Sequence, residues 1–102
     1  MFKTPVNLTY LGHAALRVEG GGRVVLVDPW LDDNPLSPVK SESVERADLI
    51  LVTHDHHDHI GDAVKIARKT GATIVAVYDL AKNLEKAGVK TLGLNVGGAV
   101  TV

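Results

Sequence analysis

The sequence predicts an α/β domain in which helices flank a mixed sheet, and two features of the chain indicate this class. Its opening contains three short apolar runs separated by glycine turns, which is typical of an antiparallel meander. Its remainder alternates apolar strand-like runs with short amphipathic segments, which favours parallel β-α-β units stacked on that meander. A chain of 102 residues is one domain at most, so we expect residues 1–102 to form a single unit.

The opening meander is predicted from alternation and from glycine. Polar and apolar residues alternate over 7–11, and 14–18 can pair with them after a turn at 12–13. The glycines at 20–22 supply the next turn, because glycine accepts the positive φ that hairpins need. The third strand, 24–27, is a continuous branched run of the kind that is buried on both faces.

The later elements begin after a proline-containing stretch, 28–48, whose length without regular structure often accompanies function. Four elements are then predicted in order: a strand over 49–52, a helix over 62–69 that ends at Gly71, a strand over 73–77, and a helix that an Asp79 cap begins and Gly88 ends. The last stretch, 91–102, is interpreted as the first arm of a hairpin.

Composition restricts the possible functions. The chain has no cysteine, which excludes disulfides, iron–sulfur clusters and thiolate zinc sites and leaves His, Asp and Glu as the strong metal ligands. Its net charge is −1 and its 11 basic residues are scattered, so we expect no nucleic-acid partner. Neither a membrane-length apolar run nor a charged-then-apolar leader is present, so we expect no membrane partner and a soluble, cytoplasmic protein.

A histidine cluster follows the fourth predicted strand. Four of the five histidines lie within residues 54–59, a density that incidental surface histidines would rarely give. In extended backbone, residues two apart project to the same side, so His54 and His56 can bind one ion. Asp58 and His59 lie where the chain turns toward a helix, and they can face a second ion nearby. These donors favour zinc, with manganese and iron as competitors, and a carboxylate beside two metals can orient or deprotonate water.

The cluster matches the H-x-H-x-D-H signature of the metallo-β-lactamase superfamily. Other segments resemble the opening half of the branch of metal-dependent hydrolases that includes ascorbate-phosphate lactonase: Tyr10–Ala14, Leu26–Pro29, Ala47–Thr53 and Ile60–Asp62. The resemblance covers nearly the whole chain. It implies half of a four-layer αββα sandwich, with a two-metal site at the edge between the sheets.

The resemblance also implies roles for individual residues. His54 and His56 would ligate the first metal, and Asp58 and His59 the second. Asp58 would in addition hold the nucleophilic water and so be the catalytic residue. Asp28, at the end of the third strand, would brace the metal loop from behind its ligands.

The chain departs from this family pattern after His59, because no further histidine follows and the later acids lie in no matching context. Two ligands per metal fall short of the three that catalytic zinc usually has. Three interpretations stay open: a fragment that lacks its C-terminal half, a homodimer, or a single metal completed by water. We favour a half-domain that pairs with a second copy to cover an apolar sheet face.

Two functions follow from these alternatives. The first is a two-metal hydrolase that acts on a small-molecule ester, lactone or phosphodiester. The second is a metal-binding half-domain without catalysis. Two more histidines are candidates for the site: His57, for which an exposed spare side chain is favoured over a ligand, and His13, which belongs either to the site edge or to a surface turn. Trp30 either lines a substrate pocket or fills the core, and Asp62 is expected to act as a helix N-terminal charge.

Overall fold

The computed structural model describes residues 5–102, so residues 1–4 of the predicted domain lie outside the described part. The elements in chain order are β1 (Val6–Gly12), β2 (Ala15–Gly20), β3 (Arg23–Val27), a 3₁₀ turn (Ser41–Ser43), β4 (Leu49–Leu51), α1 (His57–Ile60), α2 (Ala63–Thr70), β5 (Thr73–Val77), α3 (Tyr78–Glu85) and β6 (Lys90–Leu94).

All six strands form one mixed sheet in the order β1-β2-β3-β4-β5-β6. The first three strands are antiparallel and joined by tight turns, whereas β3 to β6 are parallel, as their longer connections require. The predicted α/β class and mixed sheet are therefore confirmed, and the chain has the architecture of half an αββα sandwich.

One face of the sheet carries the hydrophobic core. Leu26, Ile50 and Ile74 are paired across β3, β4 and β5, and all three are fully buried. They belong to one cluster with apolar residues of the helices, among them Ile66 of α2 and Leu80 of α3. The period-two alternation of the strands thus directs one set of branched side chains toward the helices.

The opposite face, called here the open face, is also apolar. The strand registers place these residues on it: Val6, Leu8, Tyr10, Leu16, Val18, Val25, Val27, Leu49, Leu51, Val75, Val77, Leu92 and Leu94, with Gly20, Arg23, Thr73 and Lys90 at one end. None of the apolar residues of this face belongs to the described core cluster. Leu8 remains 71% exposed and Tyr10 63%. The prediction that β3 is buried on both faces is therefore wrong for this chain, because Val25 and Val27 are only half-buried.

Three other elements, β6, α3 and α1, differ in detail from what the sequence indicates. Within the stretch 91–102, predicted to be the first arm of a hairpin, only 91–94 is strand, as part of β6 at the sheet edge beside β5, and 95–102 has no regular structure beyond a turn. Asp79 does not cap α3, because the helix already begins at Tyr78 and has no side-chain cap. A four-residue helix, α1, forms inside the histidine cluster, where its polar residues gave no amphipathic pattern.

The stretch 28–48 is tied to the rest of the chain by side-chain hydrogen bonds. The buried amide of Asn34 donates to the carbonyl oxygens of Gly12 and Trp30. The Asp32 carboxylate accepts hydrogen bonds from the Lys65 ammonium, at 2.7 Å, and from the backbone N–H and hydroxyl of Ser41. These contacts, the Lys65 hydrogen bond foremost, hold the pKa of Asp32 well below its usual range.

None of the helices within 5–102 is long and apolar enough to cross a bilayer.

Candidate metal centre

The candidate site lies at the sheet edge where the parallel strands β3 and β4 both end. The strands end at the same edge of the sheet, so Asp28, just after β3, lies beside the segment that follows β4. The Asp28 backbone N–H donates to the Leu51 carbonyl oxygen at 2.9 Å, and its side chain is nearly fully buried. Its φ of 45° lies in the left-handed region, which turns the carboxylate toward the histidine cluster.

The Asp28 carboxylate accepts three hydrogen bonds. Its Oδ1 accepts from the Thr53 backbone N–H at 2.8 Å. Its Oδ2 accepts from the Thr53 hydroxyl at 2.7 Å and lies 2.8 Å from Nδ1 of His59. Because a carboxylate can only accept, Nδ1 of His59 carries the proton, and a neutral His59 presents the bare lone pair of Nε2.

Thr53 extends this arrangement to a second imidazole. Its hydroxyl hydrogen is committed to Asp28, so its oxygen accepts from Nδ1 of His54, which is 2.9 Å away. His54, like His59, therefore presents an unprotonated Nε2 when neutral. Thr53 was not predicted to be a functional residue, although its position between a buried strand and the cluster was a usable signal.

The structure brings three imidazole rings together. The ring centroids of His54 and His56 are 4.6 Å apart, and those of His54 and His59 are 3.9 Å apart. The geometric reason differs from the predicted one, because the chain bends at 54–55 rather than running extended. The His56 N–H donates to the His54 carbonyl oxygen at 3.1 Å within this bend.

Asp58 lies in the first turn of α1 and faces two imidazoles. Its Oδ1 is 3.8 Å from Nε2 of His59, and its Oδ2 is 3.4 Å from Nε2 of His13. Among the residues from 5 to 102, the side chains of His13, Asp58 and His59 form the one group of three whose candidate ligand atoms all lie within 4.8 Å of one another. The alternative in which His13 belongs to the site edge therefore matches its position.

Trp30 lies beside both His13 and His57. Its ring centroid is 5.3 Å from that of His13 and 6.0 Å from that of His57, with edge-to-face geometry in both cases. Its Nε1 is buried without a hydrogen-bond partner among the described residues. His57 is exposed and lies outside the group formed by His13, Asp58 and His59.

Asp62 holds the loop on both sides of Trp30 through hydrogen bonds. The Asp62 N–H donates to the Pro29 carbonyl oxygen at 3.0 Å, and the Asp62 carboxylate accepts from the N–H groups of Leu31 and Asp32, both at 2.9 Å. Asp62 is the residue before α2, the position expected for a helix N-terminal charge, although its side chain makes no cap hydrogen bond. Its main contacts are with the long loop, which sequence spacing could not reveal.

The donor set fits a transition metal ion. His54 and His59 present unprotonated Nε2 atoms, His56 lies beside His54, and Asp58 offers two carboxylate oxygens. A buried acid that orients metal-binding imidazoles from behind is the usual support of such sites. Neutral imidazole and carboxylate oxygen suit zinc, manganese and iron, whereas no thiolate is present to select a softer ion.

A mixed sheet whose strand edge carries a braced His–Asp cluster defines the class of metallo-β-lactamase-like folds. The family model for the "Beta-lactamase superfamily domain" matches residues 7–101, and the chain belongs to this family. The predicted superfamily is thereby confirmed, whereas the comparisons do not identify the lactonase branch.

Named relatives share this class. A UPF0173 metal-dependent hydrolase of Thermofilum pendens is 54% identical over 103 residues, covering 94% of this chain and 45% of the relative. One of Caldivirga maquilingensis is 55% identical over 95 residues, covering 91% and 41%. The solved structure of a metallo hydrolase from the hyperthermophilic archaeon Ignicoccus hospitalis matches with TM-score 0.87 and 40% identity, covering 95% of this chain and 42% of that one. The chain thus spans less than half the length of these relatives.

Proposed function

We propose that this chain is the metal-binding half of a metal-dependent hydrolase with a two-metal site. The observation that carries the proposal is the double role of Asp28, which orients His59 directly and His54 through Thr53. One buried acid thereby prepares one ligand for each of two ions. His54 and His56 would hold the first ion, and Asp58 and His59 the second, with zinc as the proposed metal.

The proposed chemistry is hydrolysis of a small-molecule ester, lactone or phosphodiester in the cytoplasm. Bound zinc would lower the pKa of water and stabilise the negative charge that develops on the substrate. Asp58 would orient the attacking water and accept its proton, since its carboxylate is half-buried and faces the cluster. The ascorbate-phosphate lactonase-like branch makes a phosphorylated lactone the first substrate to test.

The test is a titration of the 102-residue chain with zinc alone, followed by assays on a phosphorylated lactone, a nitrophenyl ester and a nitrophenyl phosphodiester. Trp30 is the only tryptophan and lies beside the cluster, so its fluorescence should report binding. We expect zinc binding, hydrolysis of at least one substrate, and loss of that hydrolysis by at least about a hundredfold in Asp58→Ala. Asp55→Ala, an exposed acid of the same loop, is the matched control and should retain the activity.

The alternative function, metal binding without catalysis, is favoured by one observation. The chain contains no histidine after His59 and spans less than half of its relatives, in which further residues could complete the ligand shell. Zinc binding with no turnover on any of the three substrates would support this alternative. A wild-type chain that binds no zinc would overturn both.

We further propose that a second copy of this chain covers the open face. Its apolar side chains span all six strands, and sheets that present such faces pack against each other about 10 Å apart. A second copy offers an identical apolar face, and two-fold pairing covers both at once. The competing occupant is the C-terminal half of a longer polypeptide, as the length of the relatives allows.

Sedimentation equilibrium of the 102-residue chain tests this pairing. We expect the wild-type chain to form a dimer. Leu8→Lys should raise the dissociation constant of this dimer at least tenfold, because it would place a charge on a strand of the open face. Leu36→Lys is the control, since Leu36 has almost the same exposure, 68% against 71% for Leu8, but lies in the long loop. A wild-type chain that stays monomeric, or an equal effect of both substitutions, would contradict the proposal.

A further inference from the structure

His13 lies close to the cluster in the fold, although 44 residues separate it from Asp58 in the sequence. Its Nε2 is 3.4 Å from Oδ2 of Asp58, and its ring centroid is 5.2 Å from that of His59. The two oxygens of Asp58 thus face two different imidazole nitrogens, one from His13 and one from His59. These three side chains come from the β1–β2 turn and from α1.

The separations within this group fit ligands around an ion better than they fit a direct ion pair. A charge-assisted hydrogen bond between a histidine and a carboxylate is usually about 2.7–2.9 Å long. Donors about 2.0–2.2 Å from a tetrahedral zinc ion lie roughly 3.3–3.6 Å from one another. The distances at Asp58, 3.4 Å to His13 and 3.8 Å to His59, lie closer to the second range.

The backbone holds His13 in an unfavourable conformation that serves this position. Its φ of 58° lies in the left-handed region, which a residue with a Cβ adopts at a cost of about 1 kcal/mol. The Tyr10 hydroxyl donates to the His13 carbonyl oxygen at 2.8 Å and fixes the turn. The edge-to-face contact with Trp30 then restricts the ring. Such strain is a common property of functional positions.

We propose that His13 is a metal ligand and that His13, Asp58 and His59 form a three-donor site for a divalent transition metal ion within this single chain. The inference rests on the proposed function and deepens it, because it supplies a third ligand for the second ion from the N-terminal half itself. Two nitrogens and one carboxylate oxygen are a usual set for catalytic zinc, which keeps a fourth position for water or substrate.

Two substitutions of His13 separate ligation from simpler roles. His13→Asn tolerates the left-handed backbone but is too short to bind the ion. His13→Gln keeps a side chain that can donate a hydrogen bond to Asp58 but is a poor zinc ligand. His57→Ala is the control, because His57 is an exposed histidine that also lies beside Trp30 but is outside the group formed by His13, Asp58 and His59. Circular dichroism of each variant verifies that it is folded.

The measurement is titration of each chain with zinc alone against a chromogenic chelator, together with the visible absorption of the cobalt-substituted chain. We expect His13→Asn and His13→Gln to weaken one zinc-binding step at least about tenfold and to change the cobalt spectrum, whereas His57→Ala changes neither. Wild-type affinity in both His13 variants would overturn the inference. Rescue by Gln but not by Asn would overturn it too, and would make His13 a residue that positions Asp58. A wild-type chain that binds no zinc would instead contradict the proposed function.

Discussion

Replacing Asp28 with alanine is expected to weaken zinc binding about 10–100-fold, because this carboxylate sets the orientation of two ligands at once. Without it, nothing fixes the proton of His59 on Nδ1, and the Thr53 hydroxyl is free to rotate away from His54. Each imidazole can then present a protonated Nε2 to the ion. The loss should therefore affect both proposed ions rather than one.

The same substitution should destabilise the metal-free chain. It removes the acceptor for the Thr53 N–H, the Thr53 hydroxyl and Nδ1 of His59. A buried donor left without a partner costs about 1–3 kcal/mol, and access of water to the exposed Thr53 should keep the total near the middle of that range. Urea unfolding in the presence of a chelator measures this cost without the contribution of bound metal.

Two further variants, a conservative one at the same position and a control at a neighbouring acid, are compared with Asp28→Ala. Asp28→Asn tolerates the left-handed backbone and keeps one oxygen, so it should retain more stability than alanine while still losing zinc affinity. Asp33→Ala, an exposed acid of the neighbouring loop, should change neither quantity. Unchanged zinc affinity in Asp28→Ala would show that the histidines do not depend on this acid for their orientation.

Local patterns were sufficient to predict much of the sheet. The meander and the strand after α2 were predicted from apolar runs next to glycine turns, and the strand before the cluster from an apolar run alone; each formed close to its predicted bounds. The last strand was the exception. The period-two pattern predicts a strand but not its partner, so the parallel pairing of β6 with β5 could not be predicted.

The candidate site was predictable where its residues are adjacent in sequence and unpredictable where they are brought together by the fold. The cluster 54–59 is visible as a composition, and a resemblance suggested Asp28. The proximity of His13 to Asp58 depends on the β1–β2 turn and α1 meeting at one edge of the sheet. The hydrogen bonds from the N–H groups of Leu31 and Asp32 to the Asp62 carboxylate likewise join residues about 30 positions apart.

Gly61→Ala is expected to destabilise this chain more than alanine at any of its other glycines. Gly61 has φ 49° and ψ −121°, a combination that residues with a Cβ avoid. A Cβ at this position would lie 2.4 Å from Cα of Trp30 and 2.6 Å from the Pro29 carbonyl oxygen. Both are backbone atoms, so no side-chain rotation can relieve the overlap.

The overlap of the new Cβ with this backbone can therefore be removed only if the loop at 29–32 moves away from α1. That movement would break the hydrogen bonds from Leu31 and Asp32 to Asp62 and would carry Trp30 away from His13. We expect a cost of more than about 3 kcal/mol, from backbone strain and overlap together. A small domain has about 5–15 kcal/mol of stability, so the variant should unfold at much lower urea concentration.

Gly71→Ala is the matched control for this prediction. Gly71 also has a positive φ, 79°, but a Cβ there would have no neighbour within 4 Å. Its cost should be the left-handed backbone term alone, about 1–2 kcal/mol. Urea unfolding of the two variants with a chelator present thus separates overlap with Trp30 from strain in the glycine itself. An equal loss of stability in both would mean that the loop does not pass as close to Gly61 as the structure has it, and the placement of Trp30 beside the metal ligands would lose its support.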